Sequence, residues 1–339
     1  MSENQTSQAS STPQSGKSII PIAATSSALT LLGLVLAWVA YSRRYIEHRL
    51  PMIGALDGEI KWFDSRGRKV AYYIGGQARR ALSLTGASTP LLLIHSINAA
   101  ASAYEMKPLY DHYAKDRRVY ALDLPGFGFS DRSDRRYGPE LLRDAINDLV
   151  ANELNGGPVD AIGLSLGGEF LAQAAQAQPK QFRTLAFISP TGMSQNDRIE
   201  RGNEGVLQFL RMPLLRQPFF DLLTSRPVLQ FFLKQNLRRP VNRGLLNYSY
   251  ISSHQRDAVF APLYFLAGKL FTASTFETYL MLKQNILLMY GRDSFVGYDR
   301  VDELRRLPNW KINAFENAGG LVHWDDPAAV TVLLDKHLT

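Results

Sequence analysis

The sequence predicts an α/β fold in which a mostly parallel sheet carries helices on both faces. Short, uninterrupted apolar runs recur from residue 90 onward, and segments with helical spacing of apolar residues separate them. Strands buried on both faces read as continuous apolar runs, whereas strands with one wet face alternate. The chain has 339 residues, 45% of them hydrophobic, which is ample for a sizeable core.

The predicted elements alternate along the chain. Two strands lie within residues 59–76, on either side of a Ser-Arg-Gly turn. Apolar runs predict six further strands at residues 90–96, 118–124, 159–163, 184–189, 285–291 and 310–316. Helical periodicity predicts helices at residues 104–113, 140–153, about 167–177 and 327–337. This alternation is typical of a sheet layered between helices.

The first 41 residues differ from the rest in composition. Residues 1–18 are Ser, Thr and Gln with little apolar content, so we expect a disordered tail. Residues 19–41 carry no charge and are long enough for one bilayer crossing. One lysine precedes them and three arginines follow by residue 49, which predicts an uncleaved single-pass anchor whose C-terminal side, with the domain that follows it, is cytoplasmic. The alternative is a buried helix of the globular domain.

Composition excludes several classes of chemistry. The chain has no cysteine, so disulfides, thiolate metal sites and cysteine nucleophiles are ruled out. Its histidines and carboxylates show no ligand spacing, so we expect neither a metal nor a cofactor. The net charge of +7 forms no basic stripe or tail, which argues against nucleic acid as a partner.

One short stretch carries a candidate nucleophile. Gly163 to Gly167 form a G-x-S-x-G sequence after a predicted strand and before a predicted helix. Such a turn strains the backbone of Ser165, and glycine at positions 163 and 167 avoids clashes with neighbouring chain. The helix that follows favours developing negative charge, and the N–H of Leu166 is a candidate oxyanion donor.

With these motifs, residues from about 57 to 339 resemble the α/β-hydrolase fold family. "LLLIHSINAAASAYE" is similar to the family's loop after the third strand, which implies the N–H of Ile97 as second oxyanion donor. "ALDLPGFGFSDR" is similar to its D-x-P-G-x-G-x-S turn. The resemblance implies a core at residues 57–189 and 285–339, with a helical cap or lid at residues 190–284 inserted after strand 6. Serine at 165 argues against the branches with an aspartate nucleophile.

The inserted residues 190–284 are basic and aromatic. They contain 12 Lys and Arg against 6 Asp and Glu, and five prolines divide them into short segments. An apolar cap over Ser165 implies an apolar acyl or aromatic substrate. Basic and aromatic residues together suit a membrane surface or an amphiphilic ligand, and equally a solvated basic face.

A serine nucleophile requires a base and an orienting acid. The resemblance implies the order Ser, acid, His; Asp293 after the seventh strand is the predicted acid, with Asp197 in reserve. The family's ending places histidine where this chain has Gly320. His323, three residues later, is the predicted base if a longer loop folds back. The alternative is a His323 packed beside Trp324, which leaves a protein that binds without turnover.

We therefore expect a membrane-anchored serine hydrolase that cleaves an apolar carboxylic ester through an acyl-enzyme intermediate. Ser165 would attack the carbonyl, His323 would accept and return the proton, and Asp293 would hold the imidazole. The rival hypothesis is a catalytically inactive hydrolase-fold protein that binds a lipid or a protein partner at the membrane.

Overall fold

A computed structural model describes residues 22–76, 89–195 and 202–338, with side chains from residue 30 onward. The predicted tail (residues 1–18), the first three residues of the predicted anchor and the reserve acid Asp197 lie outside the described residues.

The sheet is mostly parallel, as the sequence predicts. Its eight strands are β1 (Glu59–Asp64), β2 (Lys69–Gly75), β3 (Leu91–Ile94), β4 (Val119–Leu122), β5 (Val159–Leu164), β6 (Phe182–Ile188), β7 (Asn285–Gly291) and β8 (Trp310–Phe315). They lie in the order β1-β2-β4-β3-β5-β6-β7-β8. Only the pairs β1–β2 and β2–β4 are antiparallel among the described strands. The carboxyl ends of β3, β5, β6, β7 and β8 therefore meet at one edge.

Helices follow most strands of the sheet. Those of the sheet layers are α2 (Lys107–Tyr113), α3 (Pro139–Glu153), α4 (Leu166–Ala177), α11 (Val301–Arg305), α12 (Val322–Asp325) and α13 (Pro327–Leu338). The helix expected at 104–113 is split, because a 3-10 turn at Ala103–Met106 precedes α2 and Pro108 occupies its first turn. Six helices lie between β6 and β7 in the part of this segment that the structure describes: α5 (Glu204–Leu210), α6 (Arg216–Leu223), α7 (Arg226–Asn236), α8 (Arg243–Ser253), α9 (Phe260–Leu266) and α10 (Thr275–Met281).

The core has a layer on each face of the sheet. In β3, Leu92 and Ile94 pack with residues of α3 and α4, whereas Leu91 and Leu93 pack with residues of α2 and α13. All four side chains are fully buried. Apolar residues therefore occupy successive positions of the strand because neither face meets water.

Residues up to Tyr45 form a unit distinct from Ile46–Thr339. The first unit contains α1 (Ile22–Tyr45), whose described leucines are largely exposed. No helix in the described part of the chain combines the length and the hydropathy that a membrane crossing requires.

Candidate active site

Ser165 lies at a sharp turn between β5 and α4. Its backbone has φ 49° and ψ −126°, a region that residues with a side chain rarely adopt. Its N–H donates to the Ile188 carbonyl at 2.8 Å, and its own carbonyl accepts from the Gly168 N–H at 2.9 Å. These two hydrogen bonds hold the strained residue between the neighbouring strand and the start of the helix.

The flanking glycines allow the chain to pass closely at this turn. A Cβ at Gly163 would lie 2.8 Å from the Gly168 Cα, and a Cβ at Gly167 would collide with the His95 carbonyl oxygen. Both obstacles are backbone atoms, which cannot swing aside as a flexible side chain can. The spacing of the G-x-S-x-G sequence thus follows from close backbone packing at the sheet edge.

Two backbone N–H groups are available near Ser165. Leu166 is the first residue of α4, where an N–H has no carbonyl one helical turn earlier to bond. Ile97 follows β3 in the neighbouring loop. Neither N–H donates to another atom of the described residues, and both residues line the same cavity as Ser165. This availability is what an oxyanion site requires, although the role of the two groups stays a prediction.

A buried carboxylate that the sequence did not single out holds the loop of Ile97. Glu105 accepts from the N–H of Ser96 at 2.9 Å and from its hydroxyl at 2.7 Å, both through Oε2. Its Oε1 accepts from the Asn98 side chain at 2.7 Å. The Glu105 side chain thus fixes the residues on both sides of Ile97. Its only sequence signal is an acidic residue within an otherwise apolar stretch.

His95 braces the start of the same loop. Its Nε2 accepts from the Leu124 N–H at 2.9 Å, which joins the end of β3 to the turn after β4. The side chain is fully buried, so His95 is part of the scaffold beneath the loop.

The cavity beside Ser165 has a volume of about 470 Å³ and lies between the sheet edge and the inserted helices. Its walls are mostly apolar. The apolar side chains that the inserted residues contribute are Leu223, Leu229, Phe232, Leu233, Phe265, Leu266 and Phe271. A cavity of this size and lining suits an apolar ligand that is largely enclosed.

Asp293 lies in the loop after β7 and lines this cavity. Its Oδ1 accepts from the N–H groups of Phe295 at 2.7 Å and Val296 at 3.2 Å. Burial raises the pKa of Asp293 above its usual value, and these two hydrogen bonds oppose the rise. The structure thus brings Ser165 and Asp293, two of the three predicted catalytic residues, to one cavity.

Gly320 lies directly against Asp293. A Cβ built on Gly320 would touch the Asp293 Oδ2 and would lie 2.8 Å from the Asn236 Oδ1. Gly320 also lines the cavity with Ser165. The backbone position that counting from Pro327 indicates for a base is therefore next to the acid, but it carries no side chain.

The structure does not bring His323 to this cavity. His323 lies in α12 and is fully buried, and it is absent from the described lining. Its Nε2 lies 2.7 Å from the Glu105 carbonyl oxygen, and its Nδ1 has no partner among the described residues. Burial lowers the pKa of His323 to about 4.

These contacts differ from the loop hypothesis, in which His323 folds back to Ser165. Neither ring nitrogen bonds to Asp293 or Ser165, because α12 begins at Val322 and turns the imidazole toward the 3-10 turn that contains Glu105. The indole N–H of Trp324 donates to the same Glu105 carbonyl at 2.7 Å. His323 and Trp324 together anchor the backbone of Glu105, whose side chain fixes the loop of Ile97.

A second buried carboxylate, Glu169, also lines the cavity. Its Oε2 accepts from the Thr275 hydroxyl at 2.7 Å, and its Oε1 accepts from the Thr191 hydroxyl. Glu169 thereby joins α4 to α10 of the inserted residues. Nothing in the sequence around Glu169, in the first turn of α4, predicts this contact with α10.

Residues 91–332 match the sequence profile of the Alpha/beta hydrolase family. The chain belongs to this family.

Curated relatives are similar to this chain over only part of their length. The 2-hydroxymuconate semialdehyde hydrolase of Pseudomonas sp. (strain CF600) is 32% identical over 131 residues, which are 38% of this chain and 44% of that protein. The 2-hydroxy-6-oxo-2,4-heptadienoate hydrolase of Pseudomonas putida is 30% identical over 124 residues, 36% of this chain and 44% of that protein. The chain thus spans less than half the length of either relative in these matches.

Solved structures of hydrolases share the fold. One is a membrane phospholipase A described as a bacterial virulence factor, with a TM-score of 0.61, 19% identity, and coverage of 94% of this chain and 95% of that chain. At this identity the likeness supports the fold alone.

Proposed function

We propose that this protein is a serine hydrolase that cleaves an apolar carboxylic ester through an acyl-enzyme intermediate. The observation that carries the proposal is the strained backbone of Ser165. Ser165 lines one apolar cavity together with Ile97 and Leu166, whose N–H groups are available. A non-glycine residue at positive φ costs of order 1–3 kcal/mol and persists only where the surroundings impose it. In the proposed reaction the hydroxyl attacks the ester carbonyl, the alcohol leaves, and water releases the acid.

The absence of an imidazole from the described cavity lining sets the expected rate. Loss of the base slows a serine protease by about 10⁶-fold, while the oxyanion site and binding retain about 10³ to 10⁴ over water. We therefore expect slow turnover from the chain as it is, well below that of a complete triad. Asp293 would hold a base supplied from outside the chain.

The substitution Gly320→His tests whether the rest of the machinery is in place. It restores an imidazole beside Asp293, provided that the flexible side chains of Asp293 and Asn236 move aside. We expect hydrolysis of p-nitrophenyl decanoate to rise by at least about 100-fold, as general base catalysis contributes about 10² to 10⁴. Addition of Ser165→Ala to this variant should return the rate to background.

Leu321→His is the matched control. Leu321 also lines the cavity, so this variant adds an imidazole one residue along the chain from the position that adjoins Asp293. Its rate should stay at that of the unchanged protein. Equal rates for the two histidine variants would contradict the proposed arrangement. The substrate panel should also include 2-hydroxymuconate semialdehyde, for which the relative at 32% identity is named.

A second candidate function is binding without turnover, the role of a receptor for an apolar ligand. The contact between Gly320 and Asp293 favours it, because no described histidine reaches the acid. The unchanged protein and Ser165→Ala would then hydrolyse esters at the same rate while both bind apolar probes. Any turnover that depends on Ser165 favours the hydrolase.

We also place this activity at a membrane surface. The support is the uncharged stretch of residues 19–41, with Lys17 before it and Arg43, Arg44 and Arg49 after it. The same charge bias supports a cytoplasmic position for the domain that follows.

A further inference from the structure

The surroundings of Asp293 indicate which polar group a ligand of this cavity would carry. Gly320 leaves no side chain between the Asp293 carboxylate and the cavity that both residues line. The two hydrogen bonds that Asp293 accepts within the described residues both go to Oδ1. Oδ2 thus has no donor from the described part of the protein. A half-buried carboxylate oxygen forms its strongest hydrogen bonds with an ionised donor, such as the N–H of an ammonium group.

The other two carboxylates of the cavity already have hydrogen-bond donors from the protein on both of their oxygens. Both oxygens of Glu105 accept from Ser96 or Asn98. Both oxygens of Glu169 accept from threonine hydroxyls. Their hydrogen bonds hold the protein's own loops, so Asp293 is the carboxylate whose free oxygen a ligand can reach.

The described lining of the cavity contains these three acids and no Lys, Arg or His side chain. A ligand carboxylate would enter an apolar cavity without a cationic partner and close to other anions. Desolvation and like-charge repulsion both oppose such binding. A free fatty acid is therefore a poor ligand by charge, although its chain would suit the walls.

We propose that the cavity binds an apolar molecule that carries a nitrogen group, whose N–H donates to the Asp293 Oδ2 beside Gly320. The nitrogen would occupy the place where an imidazole on residue 320 would meet the acid, and the apolar body would lie against the leucines and phenylalanines of the inserted helices. This inference deepens the proposed function, because it names the ligand class of the same cavity.

The test is displacement of Nile red, a neutral apolar dye, from the full-length protein by four ligands of one chain length. These are decylamine, decyltrimethylammonium, decanol and decanoate, each used below its micelle concentration. Decylamine should bind about tenfold more tightly than decanol, the gain of one charge-assisted hydrogen bond. Decyltrimethylammonium, which has the charge but no N–H, should bind at least about fivefold more weakly than decylamine.

Two substitutions assign the preference to one carboxylate. Asp293→Asn should bring decylamine and decanol to within about threefold of each other. Asp302→Asn removes the same charge from an exposed residue of α11 and should leave the tenfold preference intact. A preference for decanol or decanoate in the unchanged protein overturns the proposal. An amine preference that survives Asp293→Asn, or equal binding of the two cations, also overturns it.

The same measurement on Ser165→Ala separates this inference from the proposed hydrolysis. If Ser165→Ala keeps the amine preference and no variant turns over esters, the hydrolase proposal fails and the ligand class stands. If esters are cleaved in a Ser165-dependent way but decylamine shows no preference, the ligand class fails alone.

Discussion

Ser165 shows how a strained residue depends on its neighbours. Its positive φ is maintained by hydrogen bonds from both sides of the turn and by glycines that admit backbone at short range. The strain is local, but what opposes its relaxation is the packing of β3, β5 and α4 at one edge of the sheet.

We expect Gly167→Ala to destabilise the fold by about 2–4 kcal/mol, because its Cβ meets the fixed carbonyl of His95 and the overlap must displace a strand end. Urea unfolding measures the change. Gly205→Ala in α5 is the control, since its Cβ meets only one side-chain atom, the Asn203 Oδ1, at 3.3 Å and no backbone atom. That variant should shift stability by no more than about 1 kcal/mol. Equal effects would show that the turn at Ser165 has room to relax.

His323 predicts a pH dependence of stability. Its pKa falls from 6.5 to about 4 on folding because burial disfavours the charged ring. As pH falls below 6.5 the unfolded chain binds the proton first, so the stability from His323 is complete near pH 7. It is lost progressively toward pH 4, by up to about 3 kcal/mol.

His323→Gln should remove this contribution. The stability difference between the unchanged protein and the variant should be largest near pH 7 and should shrink toward pH 4, as followed by urea unfolding at each pH. A difference that is constant across this range would contradict the assigned pKa. Other titrating groups are present in both proteins, so their contributions cancel in the difference between the two stabilities.

The contrast between Ser165 and His323 marks what sequence can predict at a single residue. The turn at Ser165 is a local pattern of glycines between a strand and a helix, so a short stretch of sequence is enough to predict it. The environment of His323 depends on Glu105, which lies 218 positions away. Counting back from Pro327 pointed to Gly320, and counting forward from the strand pointed to His323. Only the packing of α12 shows which of these positions adjoins the acid.

The elements of the sheet were predictable for a similar reason. Buried parallel strands are continuous apolar runs, and all eight expected strands are present. The sequence predicted short segments between β6 and β7 from their prolines, but not how they meet the core. Those contacts use backbone N–H groups and buried carboxylates, as at Glu169 and Asp325, and such pairings leave no periodic signal.

Asp325 joins the loop after β8 to the end of α7. Its carboxylate accepts from the N–H groups of Gly319 at 2.7 Å, Arg238 at 3.0 Å and Arg239 at 2.9 Å. We expect Asp325→Asn to weaken this junction by about 2 kcal/mol, because an amide oxygen replaces a charged acceptor and one N–H loses its partner.

Hydrogen exchange at the Arg238 and Arg239 amides measures this junction directly. Exchange should accelerate by roughly 30-fold in Asp325→Asn, the factor that corresponds to 2 kcal/mol. Asp302→Asn, on the exposed face of α11, should leave both amides unchanged. Unchanged exchange in Asp325→Asn would mean that other contacts hold α7 at the loop.

At the scale of the whole molecule, charge and apolar surface are unevenly distributed. Of the net charge of +7, an excess of six lies in residues 190–284, which carry 12 basic and 6 acidic residues. Ahead of the folded domain, the uncharged residues 19–41 are followed closely by arginines. On the proposed membrane location, the first feature would add electrostatic attraction to an anionic lipid surface and the second would add apolar burial.

These two contributions can be separated by removing one of them. If residues 19–41 anchor the protein, a chain that lacks residues 1–41 should move from the membrane pellet to the supernatant on ultracentrifugation at 0.5 M salt. At this ionic strength the Debye length is about 4 Å, so the electrostatic attraction that remains is screened. Leu31→Arg with Leu32→Arg in the full chain should have the same effect, since each charge near the centre of a span costs about 2.5–3.5 kcal/mol. Retention of both variants at high salt would assign membrane binding to the inserted helices instead, whose aromatic residues would then insert into lipid independently of charge.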